Sequence, residues 1–401
     1  MKVRCSLFLI LTLFVLQMIE TPIVFAEGES IEQETESFDE KGFIDQQLER
    51  LKIDEIQEFW NQISNEYGGY LPESQKGSLM DFLKGEKEFS LKEWGLSLVR
   101  YFFHEILVSG KLLGSLILLT IFCLILQSLQ NAFEKHTISK VAYSITYLVL
   151  MIIALNGFRL AITYAEEAVQ SMTSFMVAML PLLLALMASI GNVTSAALFH
   201  PLIVFLVHTS GLLIQFVVFP LLFLSTILYI VSTLTEQYKV TKLAQFLRTI
   251  AIGVLGVFLT VFLGVISVQG ASSAITDGIT VRTAKFIAGN FVPVVGRMFT
   301  DAADTVLSAS LLLKNTVGVA GLAILLILCA FPALKVLGLA FIFNFTSAIL
   351  QPLGGGPIIE CLAIIGKAII YVFAALAIVC LMFFLAVTIM ISASNVSFMV
   401  R

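Results

Sequence analysis

LLGSLILLTIFCLILQSL, Leu112–Leu129, holds no charged residue, and GVLGVFLTVFLGVISV, Gly253–Val268, repeats that composition further along the chain. A helix crossing the ~30 Å hydrocarbon layer of a bilayer needs roughly 20 such residues. The chain around these runs stays oily: of 401 residues, 58% are hydrophobic and 13% charged. A soluble domain is about half apolar and about a quarter charged, so the excess goes beyond a well-packed soluble core. Backbone polar groups in lipid must be satisfied within their own segment, which apolar runs of this length achieve as helices. The sequence therefore reads as an all-α, polytopic helical membrane protein.

A formal net charge of −4 conceals an asymmetry. Acids outnumber bases between Glu27 and Arg100, and the balance reverses from Tyr101 onward. At the N-terminus, Lys2 and Arg4 precede an apolar core that ends in Val24-Phe25-Ala26. Residues 1–26 have the layout of a signal peptide cleaved before Glu27, or of an uncleaved first helix; either places Glu27 onward on the exported side. Residues 27–110 form an acidic exported region. Its first part, EGESIEQETESFDEKG, has almost no large apolar side chains and is expected to be disordered. From Phe43 the pattern changes: Ile44, Leu48, Leu51, Ile56, Phe59 and Ile63 recur at helical spacing. Tyr67-Gly68-Gly69-Tyr70-Leu71-Pro72 is a break. A second amphipathic helix, Ser90 to Val108, sets Leu91, Trp94, Leu98, Tyr101 and Phe102 towards one side. Such helices lie on a membrane surface, dock a partner, or cap the protein's own membrane part.

Residues 111–401 form the multi-pass domain. Lys135 and Lys140 mark a cytoplasmic loop after Leu112–Leu129, and Lys239, Lys242 and Arg248 mark another. Between them, Tyr143–Ile162 is expected to cross outward, a loop with Glu166 and Glu167 to lie outside, and Ser171–Ile190 to return. Ala197–Leu234, interrupted by Pro201 and Pro220, is too long for one span and reads as a hairpin. Ile250–Val268 crosses outward again, and the remainder returns to Arg401 on the inside. The total is about seven to nine transmembrane or re-entrant helices. Two pairs of motifs are consistent with an internal direct repeat. Thr163, Ala165, Glu167, Val169 and Ser171 match Thr300, Ala302, Asp304, Val306 and Ser308; Asn192, Thr194, Ser195, Ala196 and Leu198 match Asn344, Thr346, Ser347, Ala348 and Leu350. In a duplicated transport fold, Pro352-Leu353-Gly354-Gly355-Gly356-Pro357 would be a helix break lining a cavity.

The chemistry of common enzymes is absent from this sequence. It has no phosphate-binding loop ending in Lys-Ser/Thr and no nucleophile elbow, and His104-Glu105 lacks the second histidine of a zinc protease helix. The five cysteines show no C-x-x-C spacing. His200 and His208 stand alone in apolar surroundings, and the bases are too dispersed for a nucleic-acid surface. No enzyme activity, cofactor or metal is expected.

What remains is a polar stripe in an oily chain. From Phe299 the pattern is helical, and Asp301, Asp304 and Ser308 fall at i, i+3 and i+7, on one face. Arg297 precedes them and Lys314 follows. Glu360 and Lys367 are further ionisable groups in or near the membrane, where such groups are functional candidates. Arg297, Asp301, Asp304, Ser308, Lys314, Glu360 and Lys367 are the candidate residues for docking a partner or lining a passage.

FVPVVGRMFTDAADTVLSASLLLKNTVGVAG, Phe291–Gly321, resembles the signature region of the stage III sporulation protein AE family of endospore-forming bacteria. The signal segment, acidic exported region, length and multi-pass body agree along the whole chain. The resemblance implies a non-enzymatic component of the mother-cell complex, a channel or feeding tube that sustains forespore development after engulfment. It implies a place in the outer forespore membrane of the mother cell, with the exported side facing the intermembrane space. Implied partners are other subunits of the same operon, among them a separate cytoplasmic ATPase, and a forespore-side protein; the lipid bilayer surrounds them, and no nucleic acid is bound. Two rivals fit the residues alone. One is a stand-alone secondary transporter using Glu360, Lys367 and the Gly354–Gly356 break, and the other is a purely structural membrane scaffold.

Overall fold

The computed structural model describes residues 54–72, 91–132, 137–234, 239–291, 295–354 and 356–399. The signal segment 1–26 and the acidic stretch that follows it lie outside the described residues. The described chain is helical: α1 Asp54–Tyr67, α2 Leu91–Val108, α3 Gly110–Ala132, α4 Thr137–Ser189, α5 Val193–Leu213, α6 Phe219–Leu234, α7 Thr241–Phe291, α8 Val295–Leu350 and α9 Pro357–Met399. Among the described residues six helical segments are long and apolar enough to cross a membrane, with α5 and α6 counting as one. The protein is a polytopic helical membrane protein.

The main surprise is helix length. α4 has 53 residues and α8 has 56, so each is about 80 Å long at 1.5 Å per residue. The loop expected around Glu166 and Glu167 does not exist: that stretch is the interior of α4. The reason is local, since Thr-Tyr-Ala-Glu-Glu-Ala-Val holds no Gly, Pro or Asn and its Ala and Glu are strong helix formers. Two charges were no turn signal. The reversal falls at Ile190-Gly191-Asn192, where Gly191 takes φ 84°. Its N–H donates to Ala188 O, and the Asn192 N–H donates to Met187 O, the paired bonds of a glycine-ended helix.

Nor is Ala197–Leu234 a hairpin. α5 continues into α6 through one π turn, Ile214–Val218. The π turn lies just before Pro220, whose missing N–H frees a carbonyl that a locally widened helix can accommodate. Pro201, Pro181 and Pro332 likewise sit inside helices.

The topology follows from these lengths. α3, α6 and α8 end, and α4, α7 and α9 begin, at one end of the bundle, the basic end with Lys239 and Lys242. The Gly191 turn, the end of α7 and the end of α9 lie at the far end, where Asn192 Nδ2 donates to Ser394 O at 3.3 Å. The chain's last helix thus finishes opposite Lys239, not on the same side as the sequence suggested for Arg401. Gly354 and Gly356 are part of the connection between α8 and α9 at the basic end, not a break in mid-span.

α9 supplies the centre. Leu362, Ile365, Ile369, Val372, Leu376, Val379, Phe383, Val387 and Met390 are buried along it, against α8, α7, α4 and α6. α4 and α8 pack antiparallel. A Cβ on Gly157 would lie 2.8 Å from the buried Phe343 ring, and one on Gly321 would meet Met179. Outward-facing Phe205, Val257, Val268 and Val319 are exposed, as lipid-facing positions require. The first pair of repeat motifs lies inside α4 and α8, but the second pair has different local structures: Asn192 closes a turn and residues 194–198 lie at the start of α5, whereas residues 344–350 are the last residues of α8.

Candidate functional site

The candidate residues fall into two groups. Arg297, Asp301, Asp304, Ser308 and Lys314 all belong to α8, and Glu360 and Lys367 to the first turns of α9. The side chains of Arg297, Asp301 and Asp304 lie outside the described residues, and Ser308 is exposed. Ser347 Oγ donates to Ile359 O at 3.2 Å, which sets Glu360 beside the C-terminal end of α8. From Lys314 to Ser347 is roughly 50 Å of helix. Lys314 and Glu360 therefore lie towards opposite ends of the bundle.

At the far end, Lys314 is 1% exposed. Its ammonium donates to Ile391 O at 3.0 Å and to Asn395 Oδ1 at 2.7 Å, both on α9. Gly318, one turn along, brings the same helix close: a Cβ there would strike Ile391. A cation in an apolar interior normally finds a carboxylate or leaves; this one is held by two neutral oxygens.

Nearby on the same end sits a buried acid that sequence reading missed. Asp277 of α7, 1% exposed, accepts from Ser195 N–H at 2.9 Å and Thr194 N–H at 3.2 Å. α5 begins at Val193 and its own N-cap residue, Asn192, makes no side-chain cap. The carboxylate from a neighbouring helix takes that place, against the positive end of the α5 dipole. Asn192 instead turns to Ser394 of α9, donating to its Oγ as well as its carbonyl. Gln269 Nε2 donates to the buried Ser273 Oγ at 3.0 Å. α5, α7, α8 and α9 are thus joined to one another by buried polar contacts at the far end. The signal for Asp277 was in the sequence, as a lone acid following a long apolar run.

A third polar site lies at mid-height, where the N-terminal helix α1 docks. α1 buries Ile56, Trp60, Ile63 and Tyr67 against α4 and α8. α1 thus packs on the protein's own body. Phe59 meets Phe175 edge-on at 5.4 Å, and Tyr67 stacks on Phe331 at 4.3 Å. Lys335 Nζ donates to Glu66 Oε1 at 3.1 Å and lies over the Tyr67 and Tyr164 rings at 5.4 and 5.5 Å. These groups, with Gln62, Glu167 and Ser171, border a cavity of about 250 Å³. Burial, with Glu66 beside it, pushes the Tyr67 phenol far above its ordinary range; burial, then Glu105, does the same for Tyr101. Both stay protonated at any physiological pH. α2 presents Trp94 and Tyr101 inward and leaves Leu96, Phe103 and Leu107 exposed.

None of the three sites assembles a nucleophile with a base. Among the described residues no group of three His, Cys, Asp or Glu is placed to hold a metal ion, and Cys123, Cys329, Cys361 and Cys380 are buried free thiols. The arrangement supports helix fastening and charge placement inside a membrane.

Comparison with known proteins supplies what geometry does not. The family described as stage III sporulation protein AE matches residues 74–394. A protein of Bacillus subtilis (strain 168) named stage III sporulation protein AE is 64% identical over 379 residues, covering 94% of this chain and 95% of that protein. No solved structure matches the chain.

Proposed function

The chain belongs to the stage III sporulation protein AE family, and from that membership we propose that it is a membrane subunit of the channel complex linking mother cell and forespore. Its role in sporulation and its multi-pass helical build are the starting point. The proposal adds a place in the outer forespore membrane, with its exported segment in the intermembrane space. It also adds partners: other membrane subunits, a separate cytoplasmic ATPase and a forespore-side protein. The observation that carries it is the near full-length identity to the protein named above. No enzymatic role is proposed.

In this reading the conduit forms between subunits, because α9 fills the centre of a single copy with buried side chains. The stand-alone transporter gains no support, since Gly354 and Gly356 lie between two helices at the bundle's end and not at a mid-membrane break. Deleting the gene in its native host tests the proposal. Cells should complete engulfment, then show a silent late forespore reporter and a shrinking forespore. Asp301→Asn combined with Asp304→Asn should give the same arrest at normal protein level if the α8 stripe meets a partner. Normal spores from the deletion strain would end the proposal.

A further inference from the structure

Near the basic end, α6, α7 and α9 enclose a niche of about 140 Å³ that the function above does not use. Two walls are built alike. α6 contributes Leu222, Ser225, Thr226 and Tyr229, and α9 contributes Ile364, Lys367, Ala368 and Tyr371. Each set falls at i, i+3, i+4 and i+7, one helix face. Arg248 of α7 closes the third side, its guanidinium 5.2 Å from the Tyr229 ring centre and 5.1 Å from the Tyr371 ring centre. We propose that this niche binds a phosphate group, presented by the headgroup of an anionic phospholipid.

Charge is the first reason. Arg248 and Lys367 line the niche and no carboxylate does. Glu360, the only acid on α9, lies seven positions towards the helix start, about 10 Å away along the axis. Two cations without a counter-charge in a low-dielectric setting call for an anion.

Donor geometry is the second reason. The tyrosine faces hold the guanidinium plane from both rings and leave its N–H edges available; neither Arg248 nor Lys367 forms an ion pair with a described residue. The Ser225 and Thr226 hydroxyls already donate, to Ala244 O and Leu222 O. The free donors are therefore the guanidinium, the ammonium and the two phenols, a set suited to phosphate oxygens.

Depth is the third reason and favours lipid as the source. Tyr229 is five residues from the end of α6, Arg248 seven from the start of α7 and Lys367 ten from the start of α9. That is roughly 8 to 15 Å inside the helix ends, within about three turns of the ends of the apolar spans rather than at their middle, where a headgroup is nearer than at mid-membrane. Leu224, Leu243, Phe246 and Ile370 of the same three helices are exposed, apolar surface of the kind that acyl chains cover. Basic pockets between membrane helices on the cytoplasmic side recognise lipid headgroups by this chemistry.

The test uses the purified full chain reconstituted in three ways: in phosphatidylcholine with phosphatidylglycerol, in phosphatidylcholine alone, and in phosphatidylcholine with inorganic phosphate in the buffer. Native mass spectrometry then reads retained lipid and bound phosphate. Phosphatidylglycerol should be retained, and Arg248→Gln combined with Lys367→Gln should weaken its retention by roughly tenfold. Lys367→Gln alone, at an exposed position, should weaken it in part without touching the fold. Retention of phosphatidylglycerol unchanged in Lys367→Gln and in the double variant would overturn the proposal. Inorganic phosphate bound through Arg248, with no preference for phosphatidylglycerol, would overturn the lipid source.

Discussion

A lysine ammonium held between Ile391 O and Asn395 Oδ1, with no ion pair to an acid among the described residues, is either a costly piece of packing or a functional charge. Lys314→Met separates the two. A methionine of similar length replaces a buried cation without opening a void, and such exchanges commonly change stability by no more than a few kcal/mol in either direction. Thermal unfolding in detergent should therefore show the variant folded, within about 2 kcal/mol of the parent. If Lys314 serves the complex, sporulation falls while the protein level holds; full sporulation would assign it to packing alone. Asp277→Ala is different in kind. It strips the cap from α5 and leaves the Thr194 and Ser195 N–H groups without their acceptor, a loss of about 1–3 kcal/mol visible in the same unfolding experiment. Lys314 was legible as an ionisable residue in oily sequence. Asp277 carried the same signal but its partner, the start of α5, could not be seen until α7 was placed beside it.

At the scale of elements, the amphipathic N-terminal helices and the apolar spans were legible, because periodicity and length report directly on burial. The reversals were not. Glu166-Glu167 looked like a loop because charges usually leave the membrane, yet helix propensity kept α4 continuous. Pro201 and Pro220 looked like breaks, yet a π turn and helix packing absorbed them. Gly157 is one place where the two longest helices come close. Gly157→Val would press against the Phe343 ring, which is fully buried and has nowhere to go. The α4–α8 contact should lose about 1–3 kcal/mol, read as a lower unfolding temperature. α1 offers a contrast between two kinds of contact. Trp60→Ala should release it, at a cost of about 3–5 kcal/mol, and limited proteolysis should then cut the N-terminal segment faster. Glu66→Gln removes only a half-exposed ion pair, worth less than about 1 kcal/mol, and should leave the protease pattern unchanged.

The whole molecule is set by where the chain turns. Helices of about 80 Å outrun a single ~30 Å hydrocarbon layer, and their two ends differ: one gathers Lys239 and Lys242, the other gathers Asp277, Asn192 and Lys314. The positive-inside rule assigns the basic end to the cytoplasm. The Gly191 turn then belongs to the exported side, although a reversal at Glu166-Glu167 would have returned it to the cytoplasm. Sidedness at residue 189 decides between these. Ser189→Cys and Gln351→Cys are exposed positions at opposite ends, in a chain whose described native cysteines are buried. In intact protoplasts of vegetative cells that express the protein in the cytoplasmic membrane, a membrane-impermeant maleimide should label Ser189→Cys at once and Gln351→Cys only after permeabilisation. Labelling of Ser189→Cys only after permeabilisation would contradict the continuous α4, and with it the bundle described above.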